Sequence, residues 1–183
     1  RNMAQSVAST LELALLGDAD ITNAPTSIPA TTGVLEFTET ATFADAVSMF
    51  KDLVLAEQAL AEGEGLSGNL AYVLHPTFLN QLKRAAQVSG VNPAMDGMNY
   101  QQQMVNGYPV FYSKHCGAVA DTSADGIFAD FSNVKVGMFG GVDVVVDPFS
   151  VAINNQIRLV VNTLVDFKLA QGGKAVKFTS LTA

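Results

Sequence analysis

Apolar positions change their spacing several times along this chain, and each change marks an element. Met3, Ala4, Val7, Ala8, Leu11, Ala14 and Leu15 recur at i, i+3, i+4 and i+7, the spacing of one helix face, and Gly17 supplies a stop signal. Residues 18–33 hold Pro25, Pro29 and several threonines, which predicts a connecting loop before a short strand at Val34 to Phe37. Thr42 with Asp45 three residues on is a weak capping box. Behind it, Phe43, Ala46, Val47, Phe50, Leu53, Val54 and Leu60 form the stripe of a second helix running to about Glu62. The cluster Gly63-Glu64-Gly65-Leu66-Ser67-Gly68 ends that helix. Leu70 to Leu74 is apolar throughout and short enough for a buried strand. Pro76 suits the first position of a third helix, reaching about Ala86, with His75 as its cap.

The second half reads mainly as strands. Val88 to Gln103 has no periodicity and predicts a long loop of the functional kind. Asn106-Gly107 turns into a strand at Tyr108 to Ser113, and Ile127 to Phe131, Val134 to Phe139 and Val142 to Val146 are further strands, with Gly140-Gly141 read as a tight hairpin turn. From Ile157 to Lys168 the chain alternates with period two, the pattern of one long strand. Gln171-Gly172-Gly173 is then expected to turn it back into a last strand ending near Leu181, a terminal hairpin. Helices and strands are interspersed without regular alternation, so the class is α+β.

Composition adds a constraint on the surface. Hydrophobic residues make up 49% of the 183 and charged residues 15%, against about 25% charged in an average soluble domain. A compact fold of 19.3 kDa exposes roughly 8,500 Å². The 17 acids and 10 bases are too few to cover it densely, which suits a subunit partly hidden by copies of itself. The net charge of -7 and the lack of any basic cluster beyond Lys83-Arg84 argue against a nucleic-acid reader. Ten of the 17 acids but only two of the 10 bases lie in residues 1–64. That asymmetry is a solvated acidic face first, and a device for orienting subunits or repelling packaged DNA second. No apolar run is long enough for a membrane helix. The single cysteine, Cys116, rules out an internal disulfide and suits a reducing compartment. The chain opens in mid-helix at Arg1, which reads as a piece whose natural beginning lies upstream.

Candidate chemistry is sparse. His115 and Cys116 could suggest a thiol beside a base, but neighbours on an extended segment point to opposite faces. The glycine cluster at 63–68 follows a helix rather than a strand, and so lacks the setting of a phosphate cradle. Asp18, Asp20, Asp143 and Asp147 are read as turn formers rather than metal ligands. The expectation is therefore no catalytic residue, no cofactor, no metal and no enzyme. What stays unassigned is the uncharged, amide-rich stretch from Gly97 to Ser113.

At Asn106-Gly107-Tyr108-Pro109-Val110-Phe111-Tyr112-Ser113, followed by Ile127-Phe128-Ala129-Asp130-Phe131-Ser132, the chain resembles the tailed-phage major capsid proteins of the Hong Kong 97 fold. The glycine pair leading into Val142-Asp143-Val144-Val145-Val146-Asp147-Pro148-Phe149-Ser150 continues the family's order. Leu74-His75-Pro76 and Leu15-Leu16-Gly17-Asp18 match earlier motifs. Ala19 and Ala129 stand where the family has glycine.

The resemblance implies a Hong Kong 97-type fold in which residues 1–19 end the spine helix of the peripheral domain, 20–150 form the axial domain and 151–183 are peripheral strands. Asn92, Asp96, Asn99, Tyr100, Gln101, Gln102 and Gln103 would then line the capsomer axis, where amides pair and like charges would repel. It further implies a subunit that self-assembles into pentamers and hexamers of an icosahedral head, with scaffold, protease and portal proteins as candidate partners. Such a head encloses DNA without reading its sequence, makes no use of a membrane, and is a virion component assembled in the bacterial host cytoplasm. An encapsulin-type compartment shell is the alternative within the fold, and a thiol-dependent hydrolase the alternative of another class. Some relatives cross-link a loop lysine to an asparagine; Asn155 matches that asparagine, but Asn162 stands in place of the promoting glutamate, so no cross-link is expected. Lacking the family's N-terminal arm and extended loop, these 183 residues are expected to fold without closing a shell.

Overall fold

The computed structural model describes residues 3–17, 25–38, 46–80, 98–99, 103–116, 124–154 and 156–181. Along the chain come helix α1 (Met3–Leu16), strand β1 (Leu35–Thr38), helix α2 (Ala46–Glu62) and strand β2 (Leu70–Leu74). The short strands β3 (Met98–Asn99) and β4 (Met104–Val105) follow, then β5 (Tyr108–Tyr112), β6 (Ala124–Asp130), β7 (Val134–Asp147), β8 (Arg158–Leu169) and β9 (Ala175–Leu181). Among the described residues seven strands form one sheet in the order β1-β9-β6-β2-β5-β4-β3, while β7 and β8 pair with each other as a separate two-stranded ribbon. Within the large sheet β1/β9 and β2/β5 are parallel and the remaining pairs antiparallel.

The middle of the large sheet, β2, β6 and β9, is buried on both faces, which is why β2 is a continuous apolar run rather than an alternating one, whereas Phe111 and Tyr112 of β5 are exposed. Tyr72 and Leu74 of β2, Phe128 of β6, and Val176 and Phe178 of β9 share one face with Leu53, Ala56 and Leu60 of α2 and with Phe78. Val73, Ile127, Ala129 and Ala175 point the other way, against Leu16, Ile28, Cys116 and Leu169. In the first layer the Phe128 ring stacks on Tyr72 at 4.2 Å and meets the Tyr108 edge at 5.3 Å. Spacing alone put Val54 in the α2 stripe, yet it is exposed: it lies about 100° round the helix from Leu53, and the stripe that packs runs through Leu53, Ala56 and Leu60. The stripe members Phe43, Ala46, Val47 and Phe50 have side chains outside the described residues.

The third helix begins as expected. Residues 76–80 are helical, and the His75 ring caps them, its Nδ1 accepting the Thr77 N–H at 3.3 Å. Burial lowers the His75 pKa, which keeps the ring neutral and its lone pair free to accept. The expected continuation to Ala86 lies outside the described residues.

Three expectations are corrected. Gly140-Gly141 is no hairpin turn: β7 runs through it, and the pairing with β8 shifts between Phe139 and Asp143, a bulge. A glycine pair between apolar runs is compatible with either outcome, and the uninterrupted β8 offers both halves one template. The last strand makes no hairpin with β8; the 3₁₀ turn Gly172–Lys174 redirects it, and β9 pairs with β6 and β1, where Val176 and Phe178 are buried. Finally, the stretch from Val88 to Gln103 is not wholly a loop, because Met98 and Asn99 pair with Val105 and Met104.

Asp130 ties the β2 entry to β6. Its Oδ1 accepts the Asn69 N–H at 3.0 Å, the Ser132 N–H at 3.0 Å and the Ser132 hydroxyl at 2.6 Å. The chain can approach this carboxylate only through a glycine: Gly68 has φ +85, and a Cβ there would sit 2.5 Å from both Asp130 oxygens. Burial pushes the carboxyl pKa up, but the bonds from Ser132 and Asn69 and the Lys174 charge outweigh it and hold it below the usual value. A carboxylate depressed in the folded state contributes stability above its unfolded pKa of about 3.9, and that contribution is lost as pH falls through the folded value. Asp130→Ala is therefore expected to cost about 2–3 kcal/mol at pH 7. Its unfolding free energy, from urea titrations, should fall less steeply below about pH 4 than that of the parent chain; parallel pH curves would refute the assignment.

Candidate functional site

The described residue with the clearest proposed chemistry of its own, Cys116, has no activated thiol. It is buried in the second core layer, and its Sγ donates to the Val73 carbonyl at 3.8 Å. His115 turns away, with Nε2 2.9 Å from Ser9 Oγ on α1. A thiol in apolar surroundings, donating to a carbonyl, is the inert kind. Cys116→Ala should keep the fold and lose about 1–2 kcal/mol of stability in a thermal melt; a collapse of the fold would give the thiol more weight than its packing implies.

Among the described residues no group of three His, Cys, Asp or Glu could hold a metal. Asp143 sits opposite Asn162 across the β7–β8 pair. Asp147 closes its own turn, accepting the Phe149 N–H at 2.9 Å, the Ser150 N–H at 3.1 Å and the Ser150 hydroxyl. Those bonds, that of the Ser150 hydroxyl first, hold its pKa low. This is the physical content of the Asp147-Pro148-Phe149-Ser150 motif: a self-capped corner at the end of β7. A cavity of about 620 Å³ beside β2 and β5 is lined by Leu70, Ala71, Val73, Pro109, Phe111 and Phe131 together with Gly68, Asn69 and Tyr108; its lining is largely apolar, and Tyr108 is its one titratable side chain.

The surface that remains unexplained by the fold is the β7–β8 ribbon. Pairing with period two sorts its side chains. One face carries Lys135 and Lys168, Asp166, Phe139 and Leu164, Asp143 and Asn162, Val145 and Val160, then Asp147 and Arg158. The other is apolar except for Thr163, which stands opposite the glycine pair: Val134/Leu169, Val136/Phe167, Met138/Val165, Val144/Val161 and Val146/Leu159. At the base of the ribbon Phe167 and Leu169 are buried, Leu169 in the second core layer. Farther out the same face is open, with Val136 63% and Val146 59% exposed. Beyond the Asp147 corner, Phe149 is 85% and Ile153 fully exposed. The whole chain exposes 10932 Å², well above the roughly 8,500 Å² of a compact fold of its mass, and the ribbon contributes to that excess. A lone two-stranded ribbon is marginal in water, and monomers rarely expose apolar patches of more than a few hundred Å². The arrangement suits burial against a partner.

Of the residues expected at a symmetry axis, Asn92, Asp96, Tyr100, Gln101 and Gln102 lie outside the described residues. Asn99 pairs with Met104 in the β3–β4 hairpin at one edge of the large sheet. Gln103 lies in the same hairpin, exposed and at φ 51, with its carbonyl accepting the Val110 N–H. The β4–β5 turn next to it is braced by a cluster the sequence reading missed. Glu57 of α2 accepts from the Asn106 amide and, at 3.2 Å, from the Tyr108 hydroxyl. Burial first, then the Glu57 charge and hydrogen bond, push the Tyr108 hydroxyl pKa up. Partners about 50 residues apart carry no local signal.

Comparison with solved structures shows the same fold at low identity. A structure from Gordonia phage Cozz matches with TM-score 0.68 and 18% identity over 96% of this chain and 60% of the other. One from Mycobacterium phage Che8 matches with TM-score 0.63 and 14% identity over 98% and 61%. The capsid of an empty GTA particle matches with TM-score 0.56 and 19% identity over 99% and 65%. The chain thus spans about three fifths of the length of these neighbours. No curated protein sequence matches it. The α+β fold of the Hong Kong 97 type is the one the motifs implied. A family model described as the phage capsid family matches residues 1–180, and the chain belongs to that family.

Proposed function

We propose that this chain is part of a major capsid protein whose copies assemble into the pentamers and hexamers of a phage or prophage head. The observation that carries the reading is the ribbon face from Val136 to Val146, apolar but for Thr163 and open in the single chain, in a member of a capsid family. A face of this kind gains its stabilisation on association, because burying one valine is worth about 1.5–3 kcal/mol. In this reading α1 and the ribbon form the peripheral part, and the large sheet with α2 forms the axial part. The pairing of β9 with β6 supports counting Ala175–Leu181 with the axial strands, so the boundary expected at residue 151 is better drawn around the ribbon itself. The amide-rich segment holding Asn92, Asp96, Asn99, Tyr100, Gln101, Gln102 and Gln103 is proposed to face the capsomer axis.

The head would enclose DNA without reading its sequence, would recruit scaffold, protease and portal proteins, and would be assembled in the host cytoplasm to become part of the virion. The acidic bias of residues 1–64 is consistent with a wall that does not bind DNA strongly. Electron microscopy of the full-length natural protein tests the reading: closed shells or capsomer rings are expected, and a dispersed monomer at high concentration would overturn it. Genes for portal and terminase beside this one would separate a phage head from an encapsulin-type compartment.

A further inference from the structure

We infer that the Gly140-Gly141 bulge is a swivel that lets the outer half of the ribbon change its angle to the body. The inner half pairs Val134 to Phe139 with Leu169 to Leu164, and the outer half pairs Asp143 to Asp147 with Asn162 to Arg158. Between them the register shifts by two, so Gly140, Gly141 and Val142 stand opposite Thr163 alone and the ladder is interrupted. Gly140 takes φ +76, and neither glycine has any atom within 4 Å of where a Cβ would be. Among the described residues no side chain or backbone occupies the space a Cβ would take at either glycine, and glycine adds the widest choice of dihedrals.

The two halves are anchored unequally. Phe167 and Leu169 are buried, and Asn133 ties the base of β7 to the end of β8, its carbonyl accepting the Ala170 N–H at 3.1 Å and its amide donating to the Gln171 carbonyl at 3.0 Å. In the outer half Asp143, Val144, Val145 and Val146 are all exposed, so what sets its direction is the bulge together with β8, which runs on past Thr163. Hinges are built from a few residues that absorb a backbone change between units that stay rigid, and the paired segments on either side are those units. The use of the swivel rests on the proposed function: a subunit that serves in both pentamers and hexamers meets its neighbours at different angles, and the outer ribbon must follow.

Deleting Gly140 and Gly141 tests this directly. Val142 then falls opposite Thr163 and the ladder continues, while removing two residues leaves every outer side chain on its present face, because strand side chains alternate with period two. Spin labels at Gln58→Cys on α2 and Ile153→Cys beyond the ribbon corner, in a Cys116→Ala background, report the spread of distances between body and tip. The parent chain should give a broad distribution, and the deletion variant one at most about half as wide. Equal widths in two chains of unchanged circular dichroism would overturn the swivel. Should the deletion variant not fold, Gly141→Val takes its place, since its side chain enters open space while stiffening the backbone; an unnarrowed distribution there is equally fatal. In the full-length protein, the deletion should shift assembly from mixed capsomers to a single kind or to aberrant particles. Normal shells from the deletion variant would overturn the swivel's role in assembly, whereas no shells from the parent protein would overturn the proposed function and leave the distance measurement standing.

Discussion

Two carboxylates on the open face of the ribbon, Val144→Asp with Val146→Asp, are expected to abolish assembly of the full-length protein and to leave its subunit folded. In the single chain both positions are more than half exposed, so each new charge stays in water. The cost to the subunit is then the loss of strand preference, about 1 kcal/mol or less per site. In a shell that buries this face the same residues lose about 1.5–3 kcal/mol of apolar burial each. Each also adds an unpaired carboxylate whose desolvation costs several kcal/mol. Together that is at least about 6 kcal/mol per contact, or more than about 10⁴-fold in association. A pair on the polar face with the same net-charge change of −2, Lys135→Gln with Lys168→Gln, separates the effect of the apolar face from that of charge alone. Thermal melts should move by a few degrees for both variants, while particle counts in electron micrographs fall to background for the valine pair only. Shells of normal yield from Val144→Asp/Val146→Asp would mean that this face stays wet in the assembled head.

Phe128→Ala is expected to be the most damaging single change to the subunit itself. The ring is fully buried, sandwiched between β2 and β9 in the sheet order, stacked on Tyr72 and edge-on to Tyr108. Truncating a buried phenylalanine costs about 3–5 kcal/mol, and losing two aromatic contacts places this site at the upper end. Against a total stability of about 5–15 kcal/mol, that is a third or more. Tyr72→Phe is the informative contrast. It keeps the stack and removes only the hydroxyl, whose bond to the Leu53 carbonyl is 3.3 Å long, so it should cost about 1 kcal/mol. Urea titrations of the two variants measure the ratio directly. Equal costs would show that the hydroxyl, rather than the ring, holds α2 to the sheet.

Where a feature was legible in the residues, its cause was local. The apolar spacing of Val7, Leu11 and Leu15 and the glycine at 17 mark a helix that spans Met3–Leu16. The run Leu70 to Leu74 marks a strand buried on both faces, and His75-Pro76 marks a helix start whose cap is the imidazole itself. Asp147 four residues before Val151 announces a turn that its own carboxylate closes. In each case the hydrogen bonds or the buried face are satisfied within a few positions, so the order of residue types is enough. The motif order carried the family for the same reason: its pieces are corners and strand starts, each constrained by its own neighbours.

What the residues left open was decided by partners far away in the chain. Gly140-Gly141 is a bulge because β8 runs unbroken beside both halves of β7, and Lys174 to Leu181 leaves β8 because the slot between β6 and β1 accepts Val176 and Phe178. Glu57 finds Asn106 and Tyr108 only once α2 lies across the sheet. The alternation of Leu159, Val161, Val165 and Phe167 was visible from the outset, but alternation says only that a strand has an apolar face. Whether that face meets the core or the solvent depends on which elements cover it. Here the fold covers Phe167 and leaves Leu159 open, since the core ends at the ribbon's base while the strand goes on.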